Sequence, residues 1–227
     1  MMIALVIAML TGITIWWLLV QRLKTKPWTE QGVIPGSQDT MTAPRTGLFV
    51  FLAMVSSLFL VFVGAYIMRK DHGHGGGMHE WVPVDDPSVL WLNTAVLVLA
   101  SVAMQYARGR MAHDRVAPAR IAFAIAGVLS ILFLVGQVSA WVSLSATGLY
   151  TVATPAYSFF ILLPAVHGLH LVGGLVVLAR ATTRLWRVDT ANVVALERLR
   201  MSVSLCTTYW HFLLLVWIGL FWLLLST

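Results

Sequence analysis

Three histidines lie inside apolar stretches that are long enough to cross a bilayer. His167 and His170 share one such stretch, and His211 follows Tyr209 and Trp210 in another. A neutral imidazole at membrane depth either ligates a metal or haem iron, or it makes a hydrogen bond inside the protein. Which of the two applies depends on how the helices position these side chains relative to one another.

The composition is that of an integral membrane protein. Of the 227 residues, 59% are apolar and 11% are charged, and the mean hydropathy is +0.84. The loops are too short to form a domain with its own core, so we expect one membrane domain. The net charge of +6 comes from Lys and Arg beside apolar stretches and implies no nucleic-acid partner. Cys206 is the only cysteine, which excludes a disulfide framework and a Cys-x-x-Cys-His haem attachment.

Apolar runs of about twenty residues predict six transmembrane helices and therefore an all-α, polytopic helical bundle. The runs cover residues 3–20, 47–68, 87–107, 120–145, 155–180 and 201–225. Positive residues follow the first run and none precedes it, so we interpret it as a retained helix and not as a cleaved signal peptide. In the fourth run, Ala122, Ala126 and Ser130 recur every fourth residue and predict a face for close helix contact.

The distribution of Lys and Arg predicts the orientation. The first, third and fifth loops contain 13 of these residues, whereas the other two loops contain only Arg69 and Lys70. We therefore expect those three loops in the cytoplasm and both termini outside it. The Gly-rich loop with His72, His74 and His79 is then extracytoplasmic, and we interpret it as a solvated loop and not as a metal site.

The predicted spans contain no Asp, Glu or Lys, which argues against a proton pump or a transporter. His170 and His211 each lie about 15 Å from the cytoplasmic ends of their helices, and His167 lies one turn further outward. These matching depths allow the histidines to meet between neighbouring helices. The residues leave two interpretations: haem ligation by His170 and His211, as in a b-type cytochrome, or hydrogen bonding that holds the bundle together.

At these residues the sequence resembles subunit III of the haem-copper oxidases, the non-catalytic subunit of aa3-type cytochrome c oxidase. The matching segments are Ser158-Phe159-Phe160, His167-Gly168-Leu169-His170 with Gly173-Gly174, Tyr209-Trp210-His211-Phe212 with Val216-Trp217, Phe51-Leu52-Ala53, Gly64-Ala65-Tyr66, Trp91-Leu92-Asn93-Thr94, and Gln137 with Trp141. They follow the expected order over residues 47–225. The resemblance divides the chain into an extra helix and cytoplasmic loop at 1–46 and a subunit III-like five-helix bundle at 47–227.

The resemblance implies a bundle with a phospholipid-filled cleft, docked on oxidase subunits I and II in the bacterial cell (inner) membrane. Haem and copper then belong to the partner subunits, and no catalytic, cofactor-binding or metal-ligating residue is expected in this chain. Family members are associated with assembly, oxygen access and stable turnover in aerobic respiration, and a larger respiratory supercomplex is a further expected partner. The resemblance favours a structural role for His167, His170, Tyr209, Trp210 and His211.

Three positions depart from the family pattern. Val55, Ser204 and Leu214 stand where the family has carboxylates, so the roles attributed to those carboxylates do not carry over to this chain. A related accessory subunit of nitric oxide reductase systems shares the same core pattern. It is the alternative assignment that the sequence leaves open.

Overall fold

The computed structural model describes residues 39–73, 88–146, 155–187 and 193–225. Within these ranges the chain forms five α-helices and no β-strand. The helices are α1 (Asp39–Gly73), α2 (Ser88–Ala112), α3 (Val116–Ala146), α4 (Pro155–Arg187) and α5 (Val193–Leu225). They correspond to the second to sixth predicted spans, and the first predicted span, 3–20, lies outside the described residues.

Each of the five helices is long and apolar enough to cross a membrane. The prediction of an all-helical membrane protein is therefore confirmed. The helices run past the apolar stretches that predicted them: α4 continues to Arg187 and α5 begins at Val193. Arg, Leu and Ala are good helix formers, so the helix continues where the hydrocarbon ends. The hydropathy pattern predicted the apolar part of each helix but not the ends of the helix.

The predicted loop before the second span is partly helical. Residues 39–46 belong to α1, which includes Pro44 within its first two turns. Pro44 is the sixth residue of α1, beyond the first N–H groups that have no carbonyl partner, so it removes the hydrogen bond that would otherwise reach the carbonyl of Thr40. A second proline, Pro164, lies inside α4, where neighbouring helices can satisfy the carbonyl that it leaves free.

Small residues let α2 and α3 approach closely. Ala122, Ala126 and Ser130 are buried, so the predicted small-residue face of α3 is a packing face. It packs in a core with Met104 and Trp210. The backbone of α1 lies further from the other helices, and α1 meets them through large side chains.

Interhelical hydrogen bonds fix the register of these helices. The indole of Trp210 donates to Ser130 Oγ on α3 at 2.9 Å, and Asn93 Nδ2 on α2 donates to Gln137 Oε1 on α3 at 3.4 Å. Thr207 Oγ1 also lies 3.3 Å from the Met104 carbonyl oxygen. Polar groups away from water must find partners inside the bundle, so each bond favours one register over its neighbours.

One end of the bundle carries the basic residues, and we call it the basic end. It is formed by the ends of α2 and α4 and the starts of α3 and α5, with Arg108, Arg110, Arg115, Arg120, Arg180, Arg184, Arg187, Arg198 and Arg200. Arg120 Nε donates to the Leu185 carbonyl oxygen at 2.8 Å, which satisfies a carbonyl in the last turn of α4. Arg200 pairs with Asp114, in the turn between α2 and α3, and with Glu197 at 2.7 Å. These contacts tie α2, α3, α4 and α5 together at the basic end.

Candidate functional site

A cleft of about 610 Å³ opens between α1 and the pair α4 and α5. Helix α1 contributes Leu48 and Phe51 to one wall. On the opposite wall, Gly173 of α4 leaves open the space that a side chain would fill, Gly174 lies against Tyr209, and Cys206 lines the wall from α5. The cleft is apolar over most of its surface, so its chemistry suits a hydrocarbon chain.

Two arginines lie where the cleft reaches the basic end. Arg180 and Arg184 line it there, and both are exposed. A cleft with apolar walls and cations at one end is complementary to an amphiphile with an anionic headgroup, because guanidinium groups bind phosphate with charge-assisted hydrogen bonds. From the sequence alone, these arginines indicated only the orientation of the chain. Their four-residue spacing on α4 was the signal that both share one helix face.

His170 and Tyr209 line the same cleft. His170 Nδ1 donates to the Val166 carbonyl oxygen of its own helix at 2.7 Å. The phenol of Tyr209 on α5 donates to the His170 carbonyl oxygen at 2.9 Å, which joins α5 to α4. The Phe59 ring of α1 lies 5.6 Å from the His170 ring. His170 is therefore a contact point of three helices.

His167 is fully buried in an aromatic cluster. Its ring lies 5.3 Å from that of Trp217, 5.9 Å from that of Phe133 and 6.5 Å from that of Phe59. No residue in the described part of the chain makes a hydrogen bond with either ring nitrogen. The His167 ring therefore contributes to the bundle by packing against aromatic rings.

His211 faces a different helix from the other two histidines. Its Nδ1 lies 2.5 Å from Ser101 Oγ and its Nε2 lies 3.1 Å from Gln105 Oε1, and both partners belong to α2. His170 and His211 line separate recesses, so the structure does not bring them together as two ligands of one haem. Their depths match, but the rotation of α5 directs His211 towards α2.

The described residues contain no group of three His, Cys, Asp or Glu side chains that could hold a metal ion. Of the loop with His72, His74 and His79, residues 74–87 lie outside the described residues. The interpretation of that loop as a solvated loop, and not as a metal site, therefore stays a prediction.

Val55 lies at one of the three positions where the resemblance leads us to expect a carboxylate. Val55 is 4% exposed and packs in an apolar cluster. The other buried members of that cluster are Phe59, Tyr66, Leu163 and Leu220. Ser204 and Leu214, at the other two positions, are partly buried. A charged carboxylate at position 55 would be desolvated without a partner, whereas valine fits the apolar surroundings.

Comparison with known proteins agrees with this architecture. The family model described as Cytochrome c oxidase subunit III matches residues 1–226. Similar proteins include cytochrome c oxidase subunit 3 of Thermostichus vulcanus, which is 29% identical over 183 residues, covering 78% of this chain and 84% of the relative. The corresponding protein of Synechocystis sp. is 28% identical over 182 residues, covering 77% and 72%. That of Corynebacterium diphtheriae is 27% identical over 180 residues, covering 77% and 83%.

The family match extends over nearly the whole chain, and the five membrane-spanning helices suit an integral membrane subunit. The resemblance that the motifs indicated is therefore confirmed. The chain belongs to the cytochrome c oxidase subunit III family.

Proposed function

We propose that this chain is the non-catalytic third subunit of a bacterial terminal oxidase, docked on oxidase subunits I and II in the cell membrane. Its task is to support the assembly and stable turnover of the catalytic subunit. It crosses the membrane six times, with both termini outside the cytoplasm. Support for this orientation comes from the charge distribution, because the basic end collects the arginines that the positive-inside rule assigns to the cytoplasm.

The observation that carries the proposal is the cleft with arginines at one end. Acyl chains fit between Phe51 of α1 and the glycine-lined wall of α4, and the phosphate reaches Arg180 and Arg184. The bound phospholipid holds α1 against α4 and α5, which compensates for the wide backbone separation of α1. The same apolar medium dissolves dioxygen well, so the filled cleft also offers oxygen a route towards the partner subunit.

Mass spectrometry of the proteins that co-purify with the chain, tagged at its C-terminus and extracted in mild detergent, tests the assignment. We expect a polytopic haem-copper subunit and a copper-binding subunit in equal amounts with this chain. Recovery of the chain alone would contradict the proposal. Recovery with nitric oxide reductase subunits would identify the alternative complex.

The double variant Arg180→Ala/Arg184→Ala tests the lipid site. Removing both cations is expected to lower the amount of co-purifying phospholipid about tenfold or more, because each charge-assisted contact contributes about 1.5–3 kcal/mol. Lipid mass spectrometry of the purified complex measures the ratio of phospholipid to protein. Arg187→Ala is the matched control, since Arg187 is exposed on the same helix but does not line the cleft. Equal lipid loss in the double variant and the control would contradict a site in the cleft.

A further inference from the structure

Three buried side chains between α3 and α4 carry polar atoms that make no hydrogen bond with any residue that the structure describes. These atoms are Gln137 Nε2 and Trp141 Nε1 on α3 and both ring nitrogens of His167 on α4. Gln137 is 2% exposed and His167 is 0% exposed. A buried polar group without a partner is costly, so each of these atoms needs an explanation. We call the three side chains the α3–α4 polar seam.

Gln137 and His167 lie at nearly the same depth. Helices α3 and α4 run in opposite directions, because α3 begins at the basic end and α4 ends there. The helices come close where a Cβ atom added to Gly168 would lie 3.5 Å from Leu134 Cδ2. From this contact, Gln137 is three residues and His167 one residue further from the basic end. At a rise of about 1.5 Å per residue, the two residues lie at levels about 3 Å apart.

The two side chains also lie on facing sides of their helices. Phe133 precedes Gln137 by one turn on the same face of α3, and its ring lies 5.9 Å from the His167 ring. Trp141 follows Gln137 by one turn on that face and packs in the same apolar cluster as Phe133. The face of α3 that carries Gln137 and Trp141 is therefore the face that meets His167.

The atoms without partners are of complementary types. The Gln137 carboxamide oxygen accepts from Asn93 Nδ2 of α2 at 3.4 Å, so its own N–H groups remain as donors. The Trp141 indole adds one more N–H donor. A neutral imidazole has one N–H and one acceptor nitrogen, and the edge-to-face contact between His167 and Phe133 lets the N–H point at a π face. The donors of α3 and the acceptor nitrogen of His167 remain to be matched.

A water molecule can match all three groups at once. The structure forms no direct hydrogen bond between Gln137 and His167. The atoms concerned are shielded from the surface, so neither a lipid headgroup nor a helix of another protein reaches them. An acyl chain has no group that forms hydrogen bonds. A buried water molecule typically makes about three hydrogen bonds to polar groups of the protein, which is the number required here.

We infer that one water molecule is bound in the α3–α4 polar seam, where it accepts hydrogen bonds from Gln137 Nε2 and Trp141 Nε1 and donates one to His167. Water has a short path to this site from the end opposite the basic end. Gln137 is six residues from Ser143 and His167 is six residues from Ile161, where their spans end on that side. Six residues correspond to about 9 Å along a helix. The inference concerns this chain alone and does not depend on its partner subunits.

Solid-state NMR of the full chain in lipid bilayers, with isotope-labelled histidine, detects such a water molecule. The chain has seven histidines, and the variant His167→Phe identifies the signals of His167 by their loss. We expect magnetisation to pass from water protons to the His167 ring in the wild type. Absence of this transfer would overturn the inference. Transfer only from a side chain outside the described residues would overturn it as well.

The variant Gln137→Leu tests whether the water molecule is held by α3. We expect it to abolish the transfer from water to His167, because the leucine side chain has no donor. Ser139→Ala is the matched control, since the Ser139 hydroxyl is exposed on α3 and donates to its own helix. The control is expected to leave the transfer unchanged. Unchanged transfer in Gln137→Leu would contradict the proposed site. If that variant does not fold, Trp141→Phe removes only an N–H group and is expected to weaken the transfer.

Unfolding of the single and double variants supplies a readout that needs no label. Removing either Gln137 or His167 takes away a partner of the same water molecule, so the second removal has a smaller effect than the first. We therefore expect the midpoint shift of Gln137→Leu/His167→Phe to be smaller than the sum of the two single shifts. The pair Ser139→Ala/His167→Phe is the control and is expected to be additive. Additive shifts for Gln137 and His167 would show that no water molecule couples them.

Discussion

Replacement of Trp217 by alanine is expected to destabilise the bundle by about 3–5 kcal/mol, the usual cost of deleting a fully buried tryptophan. Trp217 is 0% exposed, and its ring meets Phe133 edge to face at a centroid distance of 4.8 Å. Its indole N–H donates to Thr94 Oγ1 of α2 at 2.9 Å. The alanine variant would lose the aromatic contacts and leave the Thr94 hydroxyl without this donor. Circular dichroism during titration of the purified chain with a denaturing detergent measures the loss.

Trp222 on the same helix is the matched control. It is 71% exposed, so Trp222→Ala removes a side chain that faces out of the bundle. We expect the unfolding midpoint of the Trp222→Ala variant to stay close to that of the wild type. An equal loss of stability in both variants would show that the rotation of α5 does not bury Trp217 and expose Trp222.

The membrane helices could be predicted from the sequence because each one is a continuous apolar run. Hydropathy shows which residues leave water for the lipid. Where the backbone enters the lipid, it forms a helix because its N–H and C=O groups find partners only within the chain. The ends could not be predicted in this way. Residues 181–187 and 193–200 are polar enough to lie at the membrane surface, yet they extend α4 and α5 because nothing in their chemistry stops a helix.

The histidines show why depth is easier to predict than direction. Counting residues from the charged end placed His170 and His211 at one level. The side to which each points depends on helix rotation, about 100° per residue, and on the order of the helices around the bundle. His211 consequently bonds to Ser101 and Gln105 of α2. The four-residue spacing of these two polar residues was a readable sign of a polar face on α2.

The segments that carry the family resemblance are mostly packing residues. Trp210 and Trp217 are buried aromatic anchors, Asn93 and Gln137 hydrogen-bond to each other inside the bundle, and Gly174 allows close contact. Such residues specify the fold, so they identify the family even at low identity. The arginines at the mouth of the cleft belong to none of those segments. The residues that we propose to bind lipid had to be found from the geometry.

Gly174→Ala is expected to destabilise the bundle by about 1–3 kcal/mol relative to Gly173→Ala, because it forces atoms into an occupied space. A methyl group at Gly174 would lie 2.6 Å from Tyr209 Cε1 and 3.3 Å from Trp210 Cη2. The Tyr209 ring cannot move away freely, since its hydroxyl is held by the His170 carbonyl oxygen at 2.9 Å. The methyl group must therefore push α4 from α5 or break that bond.

The neighbouring glycine separates packing from helix propensity. A methyl group at Gly173 meets no heavy atom within 4 Å, although both glycines line the cleft. Both alanines gain the same helix propensity, about 1 kcal/mol, so the difference between the two variants isolates the contact with Tyr209. Detergent-induced unfolding of the two variants side by side measures this difference. Equal midpoints would mean that α4 and α5 lie further apart at this level, and that the wall of the cleft is not closed by Tyr209.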